Sequence, residues 1–370
     1  MKMQWIDNKK KHECFWLLII FFLAILFTHF DYLFAYKNVP IGKINYVKKL
    51  SEKKSKNYYH NNDYSNIQRL HIKVLNGKYQ GKTISIKNHY LTSQALTQRY
   101  HSRQYLLLNY KDGWSIVDQK RDTILVFIAG IVFIILILFT DKLSLKIISS
   151  LFFNFIFFLL AIIIDTSLKK IYPVVIFTLL SVILTFITLR LILGKGVQFF
   201  IVFLSTIIST ILGVSLGSLI IIMNKERGIH FEFMDFVTQF PIPIFYSQLL
   251  IGALGAVMDE ASDIAAGMLG IFREGKKRNF INYFNFGMET GKNIVGSLTN
   301  VLFMVFIANT FPIMFVYLRN GNTWSYTIEI TMALGLISTI ISAISIVLTV
   351  PITSGISSAF LSRAKPRRIK

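Results

Sequence analysis

The chain has 370 residues, 53% hydrophobic composition and a mean hydropathy of +0.53. Its long runs of Phe, Ile and Leu set it apart from soluble domains and predict a polytopic membrane protein. The formal net charge of +21 falls in loops and tails beside those runs, so it argues for the positive-inside rule and against a nucleic-acid partner. One cysteine, Cys14, rules out an internal disulfide framework and a zinc site of paired thiolates.

Residues 1–14 are polar and basic, with Lys9, Lys10, Lys11 and His12. Residues 15–36 are apolar apart from His29 and Asp31, and no small-residue cleavage site follows. That pattern predicts an uncleaved signal anchor with its N-terminus in the cytoplasm. Residues 37–121 lose the long apolar runs and gain Lys, Asn, Tyr and Ser. Residues 48–62 read as a mobile charged linker. Short alternating stretches follow at 70–75, 82–86, 105–109 and 114–117. Their breaks fall at Asn76-Gly77, Gln80-Gly81 and Asp112-Gly113, which are turn chemistry. The expectation is a small antiparallel β domain, with a compact barrel as one form, outside the cell. Trp114 and the tyrosines fit core packing there better than a binding face.

Seven further spans are expected at 123–139, 147–164, 172–193, 198–223, 244–271, 293–317 and 327–349. With the anchor, the fold class is mainly α: a membrane helical bundle of about eight spans, with the β domain between the first two. The domains are then 1–36, 37–121 and 122–370. Both termini fall in the cytoplasm. Arg273, Lys276, Lys277, Arg278 and the tail SRAKPRRIK fall there too, as the positive-inside rule requires. The loop at 224–243 alternates acids with aromatics and suits an interfacial segment. Residues 37–121 face outward across a bacterial plasma membrane, and lipid is the first partner.

The stretch 251–271, IGALGAVMDEASDIAAGMLGI, carries Asp259, Glu260 and Asp263 near its middle. A carboxylate at the bilayer centre costs about 2.5–3.5 kcal/mol on the insertion scale, and a mere anchor has no use for three. Residues three and four apart share a helix face. One face here reads Gly252, Ala256, Asp259, Asp263, Ala266, Gly270, a stripe of small residues suited to close helix packing. The next helix offers Asn293, Gly296 and Asn300 on one face, with Ser297 and Thr299 beside it. The last offers Gly335, Ser338, Ser342, Ser345 and Thr349. The helix at 198–223 offers Thr206, Thr210, Gly213 and Gly217. The simplest assembly gathers these faces around the acids. Ser, Thr and Gly as plain helix glue is the alternative for the last helix. No Lys or Arg lies deep in a span, so the acids are expected to be protonated, hydrated or cation-bound. That suits a proton relay or a hard cation held by oxygens. Which metal, if any, is not specified. No HExxH, GxSxG, P-loop or GxGxxG is present, and no cofactor is expected.

At GALGAVMDEASDIAAGM (252–268) and NFGMETGKNIVGSLTNVLFMVFIANTFPIMF (285–315) the sequence resembles the YibE/F family of multispan bacterial membrane proteins. The resemblance implies an anchor, a small external β domain and a seven-span bundle. More distantly, the order of elements resembles one half of a resistance–nodulation–division transporter. Asp259 and Glu260 match the acidic pair, residues 280–291 an amphipathic helix, and Ser297–Asn300 the polar motif. This implies an ion-coupled transporter or export component completed by a second copy or a paralogue. Asp259, Glu260 and Asp263 would carry the ion, with Ser297, Thr299, Asn300 and Ser342 as hydrogen-bonding partners. The other reading is a non-transporting subunit that presents the β domain. An intramembrane aspartyl protease fits poorly, since all three acids share one helix and no Gly-x-Gly-Asp precedes them. No enzymatic activity is therefore expected.

Overall fold

The computed structural model describes residues 19, 21–34, 36, 39–56, 62–94, 97–111, 113–140, 142–168, 172–234, 241–274 and 279–364. Cys14, the basic residues at 9–11, His12, His60, Asp112, Lys276, Lys277, Arg278 and the end of the tail lie outside that set. The chain divides into two compact units, Met1–Ser144 and Leu145–Lys370. The helix expected to open the bundle thus groups with the first unit.

The first unit holds α1 (Phe21–Leu33), five strands and α2 (Asp122–Thr140). The strands are β1 (Ile41–Lys56), β2 (Asn62–Val74), β3 (Thr83–Leu91), β4 (Tyr105–Tyr110) and β5 (Trp114–Gln119). All pairings are antiparallel, in the order β3–β2–β1–β4–β5, and the edge strands β3 and β5 curl round to touch each other. Its core is Ile44, Leu70, Ile72, Val74, Ile84, Leu106 and Leu108, with Trp114 packed against it. Gly77 and Gly81 take φ of +73° and +81°, where the turns at 76–81 require a left-handed residue.

The expected linker at 48–62 is corrected for residues 48–56 and 62, while 57–61 lie outside the described residues. Lys48 to Lys56 continue β1 and pair with Asn62 to Arg69 of β2, with Lys56 opposite Asn62. This half of the hairpin is held by backbone hydrogen bonds and buries almost no β1 side chain. It therefore carries no apolar alternation to read.

One polar knot ties the ends of this unit together. Lys120 Nζ lies 2.9 Å from Asp31 Oδ1 and 3.1 Å from Asp122 Oδ2, and donates to the Thr28 carbonyl at 2.6 Å. The Tyr36 hydroxyl donates to Asp122 at 2.8 Å. The lysine and Asp31 side chains are only 4% and 8% exposed.

The second unit is helical: α3 (Lys142–Ser167), α4 (Pro173–Ile192), α5 (Val197–Met223), α6 (Pro241–Arg273), α7 (Phe280–Arg319) and α8 (Trp324–Arg363). Six helices, α3 to α8, are long and apolar enough to cross a membrane. The two other expected spans are present as shorter apolar helices, Phe21–Leu33 and Asp122–Leu136, within the described residues. The segment at 224–243 is described as far as Met234, with a short 3-10 turn at Phe231–Phe233.

Two helices outrun their expected spans. α7 and α8 have 40 residues each, about 60 Å at 1.5 Å per residue. The amphipathic stretch 280–291 and the span 293–317 are therefore one continuous helix. Likewise α8 runs past Thr349 to bury Thr353, Ser354, Ser357 and Ser358. α8 packs along α5, α6 and α7, and α6 also touches α4 and α5. Close approach comes from small residues. A Cβ at Gly213 or Gly217 of α5 would strike Ser345 or Ile341 of α8, and one at Gly287 or Gly291 of α7 would strike Ser354 or Val350.

Candidate functional site

The three acids of α6 point in two directions. Glu260 is fully buried, while Asp259 and Asp263 are exposed on this single chain. Between them the helix turns by about 100° per residue, so one acid faces the bundle while its neighbour faces out. The buried arc of α6 is Ala253, Val257, Glu260, Ala261, Ile264, Ala265 and Met268.

The small-residue stripe lies elsewhere than expected. Gly252, Ala266 and Gly270 are exposed, Ala256 is half-buried, and a Cβ at Gly252 or Gly270 would touch nothing within 4 Å. Within this chain the stripe is not a packing seam. The reason is physical: α6 turns its bulkier apolar arc toward α4, α5 and α8, and the stripe is what remains. Around α7 the outcome is similar. Asn293, Gly296, Ser297 and Asn300 are exposed, with nothing near Gly296. Thr299 lies on another face with its hydroxyl buried and without a hydrogen-bond partner. Gly335 of α8 does pack, against the Phe306 ring of α7.

A cavity of about 730 Å³ opens between α6, α7 and α8. Gln248 and Gly252 line it from α6, Asn309 and Thr310 from α7, and Thr331, Ser338, Thr339 and Ser342 from α8. Apolar walls come from Phe245, Leu302, Phe306 and Leu334. Gln248 and Gly252 share the α6 face that carries Asp259 and Asp263, about two to four turns further along. The cavity face of α7 is the side opposite Asn293 and Asn300 by helical phase. Of the residues expected to meet, Ser342 and Gly252 line the cavity, the aspartates continue its α6 wall, and Ser297 and Asn300 stand apart.

The other side of α6 holds what the sequence reading undervalued. The hydroxyls of Ser205, Thr206, Ser209 and Thr210 on α5, and of Thr353, Ser354 and Ser357 on α8, are buried without a hydrogen-bond partner. Both carboxyl oxygens of Glu260 are in the same condition. Buried hydroxyls in helices usually bond the carbonyl one turn back. Ser345, Thr349 and Ser358 of the same α8 do so at 2.9, 2.7 and 2.6 Å. The repeat of hydroxyls at 205, 206, 209, 210 and at 353, 354, 357 was the signal available in the sequence.

Above the cavity, His230 bridges two carboxylates. Its Nδ1 is 2.8 Å from Glu232 and its Nε2 3.2 Å from Glu329. The bond to Glu232, then that to Glu329, raises the imidazole above its ordinary value.

The order of these elements is matched by two family models. Residues 128–363 match the YibE/F-like protein, and residues 34–121 match the YibE/F family N-terminal domain. The chain belongs to the YibE/F family. The first match takes in α3 to α8 with the acids, the cavity and the hydroxyl cluster, and the second takes in all five strands. No curated protein and no solved structure matches the chain.

Proposed function

We propose that this YibE/F protein is an ion-coupled membrane transporter or export component that uses the α6 carboxylates. The observation that carries the reading is the pairing of a cavity that gathers a few polar groups with an acidic face on one and the same helix. The cavity has the size of a small-molecule site, and its few polar groups converge from three helices. Asp259 and Asp263 give a proton or cation a foothold beside it, and Glu260 gives a second one inside the bundle. Ionisable residues in a membrane generally mark such pathways. The bundle would sit in the bacterial plasma membrane with both termini cytoplasmic and the sheet outside. The protein is not an enzyme on this reading. The resemblance to resistance–nodulation–division transporters rests on the acidic motif and the order of elements, and serves as analogy only.

A second chain belongs to the reading. Exposed Asn293 and Asn300 on α7, and exposed aspartates on α6, are costly against lipid. A homodimer, or a heterodimer with a paralogue, would cover them. The same observation supports the alternative of a non-transporting assembly subunit.

Ion flux into proteoliposomes separates the two. Asp259→Asn is expected to abolish flux while the protein stays folded. Unchanged flux in that variant would end the role of the carboxylate, and no flux in the folded wild type would favour the assembly subunit, for which deletion of residues 37–121 is the damaging change.

A further inference from the structure

Resting on the ion-coupled reading, we infer that Glu260 and the buried hydroxyls of α5 and α8 form a binding site for one monovalent cation, of which sodium is the occupant.

The packing brings these groups to one level. α5 and α8 run antiparallel, with Gly213 against Ser345 and Gly217 against Ile341. The same register, carried about two turns along, sets Ser205 and Thr206 opposite Thr353. Further on, Val202 of α5, Ala261 and Ala265 of α6 and Ile356 of α8 share one apolar cluster. Leu249 and Leu250 of α6 share another with Val214 and Ile341. Glu260 lies between these two clusters, at the level of Thr206 and Thr353. All four side chains, Ser205, Thr206, Glu260 and Thr353, are 0% exposed.

The chemistry selects the ligand class. Every donor atom is oxygen, which suits a hard cation. A buried carboxylate must be paired or neutralised. A proton would neutralise Glu260 and give it a single O–H to donate, which serves at most one of the hydroxyl oxygens. One cation engages the carboxylate together with several of these hydroxyl oxygens, none of which reaches a helix carbonyl as Thr349 does. Charge sets the valence. Glu260 is the one carboxylate buried at this level, Asp263 being exposed on the same helix, and the described residues hold no group of three or more His, Cys, Asp or Glu that would suit a divalent ion. A divalent ion would leave one positive charge uncompensated in the bundle.

Thermal unfolding of the full chain in nanodiscs tests this, in NaCl against choline chloride at equal ionic strength. Sodium is expected to raise the wild-type Tm in a saturable way. Glu260→Gln should lose the sodium-dependent shift. Thr353→Val, which keeps the shape and removes an oxygen, should weaken the apparent sodium affinity by about tenfold. Equal Tm in both salts would overturn the proposal, as would a sodium shift that survives Glu260→Gln or an apparent sodium affinity that Thr353→Val leaves unchanged. A wild-type Tm that follows pH and ignores sodium would also overturn it, with the proton as occupant. The transport reading fails separately: sodium binding without ion flux would keep the site and discard transport, and flux without sodium binding would do the reverse.

Discussion

Each unit of the chain buries a carboxylate, and the two are treated in opposite ways. Asp31 of the first unit meets Lys120 at 2.9 Å, and the lysine is held further by Asp122 and the Thr28 carbonyl. Glu260 of the second unit is buried more completely and, among the described residues, meets no cation or hydrogen-bond donor. A charge buried with a resident partner fixes a structure. A charge buried among unpartnered hydroxyls is suited to something that arrives and leaves. The contrast separates a latch from a site.

The sharpest way to break the comparison is at the latch. Lys120→Met leaves Asp31 buried and alone, and should cost about 3–5 kcal/mol in thermal or chemical unfolding. Adding Asp31→Asn to it should recover much of that loss. A tolerated Lys120→Met would remove the distinction between the two carboxylates.

Packing around the site comes next. Gly213→Ala drives a Cβ into Ser345 and should destabilise by about 1–3 kcal/mol. Gly252→Ala meets open space and should stabilise the isolated chain by up to about 1 kcal/mol through helix propensity. A large loss at Gly252 instead, seen only at high protein concentration, would mean that a second copy covers the stripe.

At Glu260 the effect on stability should be small. In sodium-free buffer Glu260→Gln should unfold within about 1 kcal/mol of wild type or above it, since it removes a buried charge and keeps the shape. A loss comparable with that of Lys120→Met would make Glu260 a structural residue.

The smallest effect concerns pH. Because Glu232 and Glu329 raise the His230 value, the stability they lend is complete below its ordinary 6.5 and is lost as pH rises through the raised value. His230→Gln should therefore differ from wild type in acid and converge with it in base, when Tm is followed against pH.

Much of this was legible in the sequence, and the omissions have causes. Apolar runs marked α3 to α8 because lipid demands length and hydropathy together. Gly77 and Gly81 marked their turns because only a residue without a Cβ sits easily there. The far half of the β1–β2 hairpin escaped, since backbone pairing leaves no mark on residues that bury nothing. The acids were found, but their directions were not. A stripe of small residues resembles a packing seam whether or not a neighbour lies in the same chain. Which arc of α6 is buried is decided by Val202, Ile356 and other residues far away in sequence. The continuation of α8 beyond Thr349 also escaped, because Pro351 reads as a helix end when a bundle around it is not known.

The account turns on whether Glu260 serves ion movement. The direct measurement is ion flux into proteoliposomes, wild type beside Glu260→Gln, with both proteins shown to be folded. The account predicts flux in wild type and none in the variant at unchanged stability. Equal flux in both would contradict it.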